Sequence, residues 1–401
     1  MAELISYTEA KQLVENRAYS FGTELIELEE AEGRVLAENV YSDRDYPPFN
    51  RAAMDGYAIR LQDWEAGLRE YQVQLTIYAG QHYQGLLKKG SCFRIMTGAS
   101  VPLTAQAIVR LEDSEEKEGR VLLKAIGLEP YHNIARQGED LQSGQPVFSP
   151  GVRPNAAVIG TLAALGKEKV LVGKLPKVAL LTTGNEVVPI GQPVGAAQIR
   201  NSNQYMLKAL LRSWKIKPFY CRHLPDQEEA LQQALQQVLH YDLVLLNGGV
   251  SAGDADYVPR VLEGLGVQKE FHKVAIKPGK PVFFGVLPGG GGVFGLPGNP
   301  FSCLVTYKVF VEAWLHKSFQ AQEVPQYRLP VEQTRKKKHA FTEFFAVRVQ
   351  ETTATLRPIL HNGSGDVRAG VSTHGLGVHH AGQPEILQGE KIEFIPFRLG
   401  W

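Results

Sequence analysis

The sequence predicts a multidomain protein that combines α/β and β architecture, and three observations carry that prediction. From residue 177 strand-like runs alternate with amphipathic helical runs; between about 57 and 130 short β-rich runs stand between helical stretches; and after Pro325 the texture turns β-rich again. The chain has 401 residues, room for roughly two to four folding units. Hydrophobic residues at 44% and charged residues at 21% give the balance of a globular protein, which excludes disorder, collagen and coiled coil.

Taken in order, residues 6–19 read as an amphipathic helix capped by Ser6 or Thr8, and AEGRVLAENVYS as a second short helix leading into a strand. PPFNRAAMDGYAIR breaks the pattern. YQVQLTIYAG, CFRIMTGA, AIVRLED and RVLLKAI then read as strands of a small β domain, and residues 135–172 return to helix, notably NAAVIGTLAALG. A helical stretch on each side of a β insertion predicts one discontinuous domain (1–42 and 135–172) interrupted by a β-rich second domain (43–134).

KVALLTTG, KPFYCRHL and YDLVLLNGG follow as buried strands, with SNQYMLKALLRSW and DQEEALQQALQQVL as the helices between them. FHKVAIKPGKPVFFGVL reads as a hairpin-like pair, GVFGLPGN as another strand end, and FSCLVTYKVFVEAWLHKSF as a closing helix. That is a three-layer α/β domain over 173–325. FFAVRVQ, ATLRPIL and KIEFIPFRL predict a small β domain over 326–401.

Charge and cysteine usage narrow the function. Lys plus Arg (43) and Asp plus Glu (42) nearly cancel, so no global basic field draws the chain to nucleic acid, and any anion site is local. No apolar run approaches ~18 residues and the N-terminal stretch is acidic where a signal peptide is basic, so the expected address is the cytoplasm, away from membranes. Cys92, Cys221 and Cys303 lie far apart and read as buried, reduced thiols. His379 and His380 are adjacent on a stretch read as exposed, and read as incidental rather than metal-binding.

The chemistry gathers in the loops that follow the strands of the α/β domain, where open parallel sheets bind ligands. NGGVSAGDADYV permits close backbone approach, and its N–H groups can form an anion nest; a tight turn is the plain alternative. Asp254 and Asp256 in the same loop suit magnesium, although Asp254 equally suits a helix N-cap. KPGKPV holds Lys277 and Lys280 on either side of a Pro-Gly turn, a pair that is either solvated or satisfied by an anion. Neither GxxxxGK[ST] nor a GxGxxG following a strand occurs, and there is no GxSxG, so P-loop, Rossmann and hydrolase-elbow chemistry find no support.

Eight ordered motifs, PPFNRAAMDGYA, RIMTGAS, RQGED, TTGNEVV, QIRNSNQYML, NGGVSAGDADYV, IKPGKPVFFG and GLPGNPFS, spread over residues 47–302, resemble the MoeA molybdopterin molybdenumtransferase family, of which the gephyrin E domain is the animal relative. With the β-rich tail, the resemblance covers essentially the whole chain. It implies an elongated four-domain subunit whose third domain binds molybdopterin and whose fourth is β-barrel-like. It further implies a homodimer with a site between the third and fourth domains of one subunit and the second domain of the other. The implied reaction inserts molybdate into adenylylated molybdopterin and releases AMP with Mg2+ assisting; tungstate insertion and a scaffold role like that of the gephyrin E domain are the alternatives. Molybdopterin adenylyltransferase and recipient molybdoenzymes are the implied partners.

Carried over by the same resemblance, Asp55, Thr97 and Asp140 of one subunit act with Glu186, Asp226 and Asp256 of the other, and Glu186, Asp254 and Asp256 hold the metal. Lys277, Lys280 and Arg348 grip molybdate by charge-assisted hydrogen bonds, with Ser364 as a neutral donor. Thr183, Gly184, Gly248, Gly249, Ser251 and Pro281 meet the cofactor, and Asn203 reads first as the cap of its helix and also as a residue that meets the pterin. Pro297 and Pro300 shape their loop. The chain departs from the family pattern at Ala53, where Ser is usual, and over Arg368, Ala369 and Thr373-His374-Gly375-Leu376.

Overall fold

A computed structural model describes residues 4–250, 257–323 and 325–397. These form two compact units: Asn39–Ser149 with Gly160–Glu168 make one, and the remaining described residues make the other. Among the described residues no helix is long and apolar enough to cross a membrane.

The smaller unit is built on a six-stranded sheet in the order Ala107–Arg110, Gly56–Ile59, Ser91–Ile95, Glu70–Ile77, Arg120–Leu123, Ser114–Lys117. Gly56–Ile59 is buried throughout because alternate residues enter different cores: Ala58 packs with Ile77, Phe93 and Ile108, while Tyr57 and Ile59 pack with Trp64 and Tyr71. The edge strand Ser114–Lys117 is SEEK, whose charges discourage further pairing.

In the larger unit, Tyr220–Leu224, Val178–Thr183, Leu243–Asn247 and Gly292–Leu296 run parallel, and Phe283–Val286 and Gln268–His272 continue the sheet antiparallel. Val178–Thr183, Leu243–Asn247 and Gly292–Leu296 are wholly buried, as continuous apolar runs require. Leu180, Leu245 and Phe294 pack against helix Ser202–Arg212 and the closing helical run from Pro300 to Ser318. Leu181, Val244 and Leu246 pack against Glu228–Gln236 and Val258–Gly264. The result is helix, sheet, helix.

A second sheet takes its edge strand from this domain. Ile276–Lys277 pairs parallel with Thr342–Gln350, and the order continues through Gly375–His379, Lys391–Pro396 and Tyr327–Pro330. Thr355–Pro358 also pairs with Thr342–Gln350, and a bridge between Val331 and Leu356 brings the far edge back to it.

Several local expectations are corrected. AEGRVLAENVYS forms no helix: Leu36 donates to Val152 O and bridges Val172, so its backbone is satisfied by extended neighbours, and a strand follows at Val40–Tyr41. Within 135–172 only Ala156–Ala164 is α-helical, because Pro146, Pro150 and Pro154 interrupt the backbone bonding, and Lys169–Gly173 pairs with Thr23–Glu27. The first helix is capped by Ser6 as expected but ends at Asn16. Cys92 and Cys303 are buried, whereas Cys221 is exposed. His379 is fully buried, not exposed: its Nδ1 lies 3.1 Å from Arg335 Nη1 and its Nε2 2.8 Å from Gln383 O.

Candidate functional site

The loops at the carboxyl ends of the parallel strands and the start of the second sheet enclose a cleft of about 1320 Å³. Its first wall is TTGNE. Asn201 Nδ2 donates to Thr182 Oγ1 at 2.9 Å, which lies 3.0 Å from His223 Nδ1, and His223 Nε2 lies 3.0 Å from Gly184 O. A carbonyl only accepts, so Nε2 carries the proton and Nδ1 accepts from Thr182. This chain fixes the turn. Asn185 and Asp226 exchange bonds, the Asn185 N–H to Oδ2 and the Asp226 N–H to Oδ1, each at 3.1 Å. Glu186 and Asp226 therefore flank one short loop as two cleft carboxylates.

The second wall is the Gly248–Gly249 turn. Gly248 has φ +98°, and a Cβ there would come within 2.7 Å of Thr183 Oγ1, so only glycine permits the approach. The third wall is KPGKP. Lys277 sits opposite Glu343 in the parallel register, and the exposed Lys277 and Lys280 both line the cleft. Gly279, with φ +104°, presses on Thr306, where a Cβ would come within 2.5 Å of Cγ2. That contact locks the turn between the two lysines. Ser364 closes the rim, accepting from Asn299 Nδ2 at 3.0 Å.

Glu343 holds Arg335 bidentately, and Arg335 also stacks over Phe345, its guanidinium carbon 4.2 Å from the ring centroid. Burial alone would raise the Glu343 pKa, but the Arg335 hydrogen bond and charge, with His339 and Lys277, hold it below the usual range. The cleft thus carries Lys277, Lys280 and Arg335 near one ionised carboxylate, with glycine turns and two further carboxylates on the facing walls.

Residues 5–166 match the MoeA N-terminal region (domain I and II), and residues 179–317 match a probable molybdopterin binding domain. A protein of Haemophilus influenzae named molybdopterin molybdenumtransferase is 36% identical over 307 residues, 76% of this chain and 75% of that one. The chain belongs to the molybdopterin molybdenumtransferase family. A Synechocystis member of the same name is 32% identical over 82% of this chain and 86% of its own. The solved structure of a molybdopterin biosynthesis moeA protein from Pyrococcus horikoshii, 28% identical, covers 98% of this chain and 99% of its own with a TM-score of 0.82. The fold is thus a mixed α/β multidomain fold shared with MoeA structures.

Of the family positions read from the motifs, Thr183, Gly184, Glu186, Asn203, Asp226, Gly248, Gly249, Lys277, Lys280, Pro281 and Ser364 come together in the cleft. Ser251, Asp254 and Asp256 lie outside the described residues. In the smaller unit Asp55 Oδ1 accepts from the Thr97 N–H at 2.7 Å and hydroxyl at 2.6 Å, while Asp140, exposed, bonds through its N–H to Tyr46 O. Arg348 does not line the cleft: it lies opposite Arg357, roughly 16 Å along the strand from Glu343 at the usual rise per residue. Asn203 is not a cap; Asn201 is, accepting from the Gln204 N–H at 3.2 Å. The departures at Arg368, Ala369, Thr373 and His374 stand off the cleft lining, which takes Gly363, Ser364, Gly365 and Val367 from that loop.

Arg335 and Glu343 escaped the motif reading because TRKKK looks like a solvated charge run. Its period-two strand alternation is the signal: Lys336 meets Glu385 at the surface, while Arg335 and Lys337 turn toward His379.

Proposed function

We propose that this chain is a molybdopterin molybdenumtransferase that inserts molybdate into adenylylated molybdopterin and releases AMP, the last step in making the molybdenum cofactor. Two sulfur–molybdenum bonds form as one oxo group of molybdate leaves as water with the two thiol protons, and a second water splits the anhydride to give AMP and the pterin's terminal phosphate. The observation that carries this reading is the strand pairing of Lys277 with Glu343, which sets a fixed pair of lysines across from phosphate-accepting glycine turns in one cleft. Lys277, Lys280 and Arg335 supply charge-assisted hydrogen bonds to a dianion, and Ser364 a neutral one. The Gly248 N–H is given to Leu296 O at 3.1 Å, so it is the Gly249 N–H that approaches a phosphate without a side chain between.

Among the described residues no group of three or more His, Cys, Asp or Glu is placed to hold a metal. Glu186 and Asp226 nevertheless fit magnesium, which is held by one or two carboxylates together with substrate phosphates and retained waters. Bound there, the ion would neutralise charge on the anhydride as it breaks. Asp254 and Asp256 complete that reading by resemblance.

The family resemblance also supports a homodimer in which Asp55, Thr97 and Asp140 serve the partner's cleft, and a cytoplasmic address suits the unpaired thiols of Cys92 and Cys303. Sedimentation velocity of active protein tests the dimer; a monomer with full activity contradicts it. AMP release from adenylylated molybdopterin, measured with molybdate, with tungstate and with neither, tests the reaction. Release that needs an oxyanion and magnesium supports it, and the more effective oxyanion identifies the metal.

A further inference from the structure

The parallel sheet of the larger unit ends on a free edge. Tyr220–Leu224 pairs only with Val178–Thr183, and among the described residues no backbone group of 220–224 bonds to backbone outside that ladder. Such an edge keeps a row of N–H and C=O groups that an extended chain can continue. The sequence around it is basic, on a protein whose net charge is only +1: residues 187–225 hold six Lys or Arg and no Asp or Glu. These cations flank the edge on both faces of the sheet. Gln204 lies over the strand, its Nε2 2.7 Å from Cys221 Sγ, and Lys208 and Arg212 follow it at i+4 and i+8 on the same side of their helix. Arg222 takes the opposite face beside Tyr220, whose hydroxyl meets Gln237 Oε1 at 3.2 Å. Phe219, 72% exposed, precedes the strand with Lys177 Nζ 4.7 Å from its ring centroid. Lys215 is neutralised by Glu32, but among the described residues Lys177, Lys208, Arg212 and Arg222 have no carboxylate partner.

We propose that the Tyr220–Leu224 edge docks an extended acidic segment of a partner protein, which adds a strand to the sheet. Its carboxylates meet Lys208, Arg212 and Arg222, and an apolar side chain covers Phe219. The occupant follows from the two rows of groups on offer. A second copy of the same edge would bring like cations face to face, and a nucleic acid strand has no peptide groups to continue a ladder. An acidic peptide satisfies the backbone row and the charged row together. The strand leads from Leu224 through Pro225 directly to Asp226 in the cleft wall, so the partner is held beside the cleft mouth.

Fluorescence anisotropy of the full chain with labelled probes tests it. The main probe is a short peptide that alternates Glu with Val. Its controls are two forms N-methylated on either the Glu or the Val residues, a peptide that alternates Lys with Val, and oligouridylate. The Glu/Val peptide is expected to bind at least about tenfold more tightly than the Lys/Val peptide, the oligouridylate and the N-methylated form that blocks the ladder. Its binding weakens as salt rises, and it slows the reaction of Cys221, the exposed thiol, with a maleimide. Lys208→Glu with Arg222→Glu abolishes that binding and transfers the advantage to the Lys/Val peptide. No binding of the Glu/Val peptide overturns the inference, since the cations then only guard the edge against stray pairing. Equal binding by both N-methylated forms, or by oligouridylate, overturns it as well and leaves a patch for any polyanion. The N-methylation and Cys221 comparisons use the unaltered chain and decide the matter even where the double variant fails to fold.

Discussion

Arg335 clasps Glu343 with two nitrogens, Nη1 3.1 Å from Oε2 and Nη2 2.9 Å from Oε1, directly beside the position where Lys277 enters the sheet. His379 steadies the same guanidinium from behind: its Nε2–H is given to Gln383 O, so Nδ1 accepts from Arg335. Burial first, then the charge of Lys337, pushes the His379 pKa down and keeps the ring neutral for that role. The second sheet therefore contributes a positioned cation that reaches the cleft.

Arg335→Gln is expected to raise the molybdate requirement for AMP release by roughly tenfold, because it deletes one charge at an anion site. It also leaves Glu343, 15% exposed, without its partner, at a cost of about 1–3 kcal/mol in denaturant unfolding. Arg335→Met with Glu343→Leu costs less than the single change, since no charge is stranded. Unchanged molybdate dependence in Arg335→Gln removes the residue from oxyanion binding.

Changing both Lys277 and Lys280 to Gln keeps the stems but deletes two charges on a nearly neutral protein. The expected result is a much higher molybdate requirement with a smaller loss of pterin affinity. Loss of the adenylylated pterin with normal molybdate dependence makes the turn a phosphate clamp instead, and assigns the oxyanion to Arg335.

In the smaller unit, the hydroxyl and N–H of Thr97 hold the Asp55 carboxyl below its ordinary value. The folded pKa is depressed, so this contribution to stability is fully present above the unfolded aspartate value of about 3.9 and is lost as pH falls through the folded value beneath it. Thr97→Val is expected to make that loss begin at higher pH, read from NMR titration of the Asp55 carboxyl. An unmoved titration contradicts the assignment.

Much of this was legible where one force dominated. Continuous apolar runs identified Val178–Thr183 and Leu243–Asn247, and the alternation of strand and helix identified the layers. The glycine turns and lysine pair were readable because each motif constrains its own backbone. What escaped reading depends on long-range pairing. Leu36 becomes extended only because Val152 and Val172 meet it. Arg335 becomes a cleft residue only because Thr342–Gln350 places Glu343 beside Lys277, a juxtaposition of residues 66 apart in the chain. Asn203 reads locally as a cap, yet Asn201 takes that role and frees Asn203 to tie two strand ends together.

The most direct test of a cleft that joins an oxyanion to a pterin is a single-turnover reaction with adenylylated molybdopterin, magnesium and molybdate, measuring both AMP and pterin-bound molybdenum. The two products are expected in equal amounts, and both are expected to collapse when Lys277 and Lys280 are changed to Gln and molybdate is limiting. AMP formed without molybdenum bound to the pterin, at a rate indifferent to molybdate and to the two lysines, would contradict it.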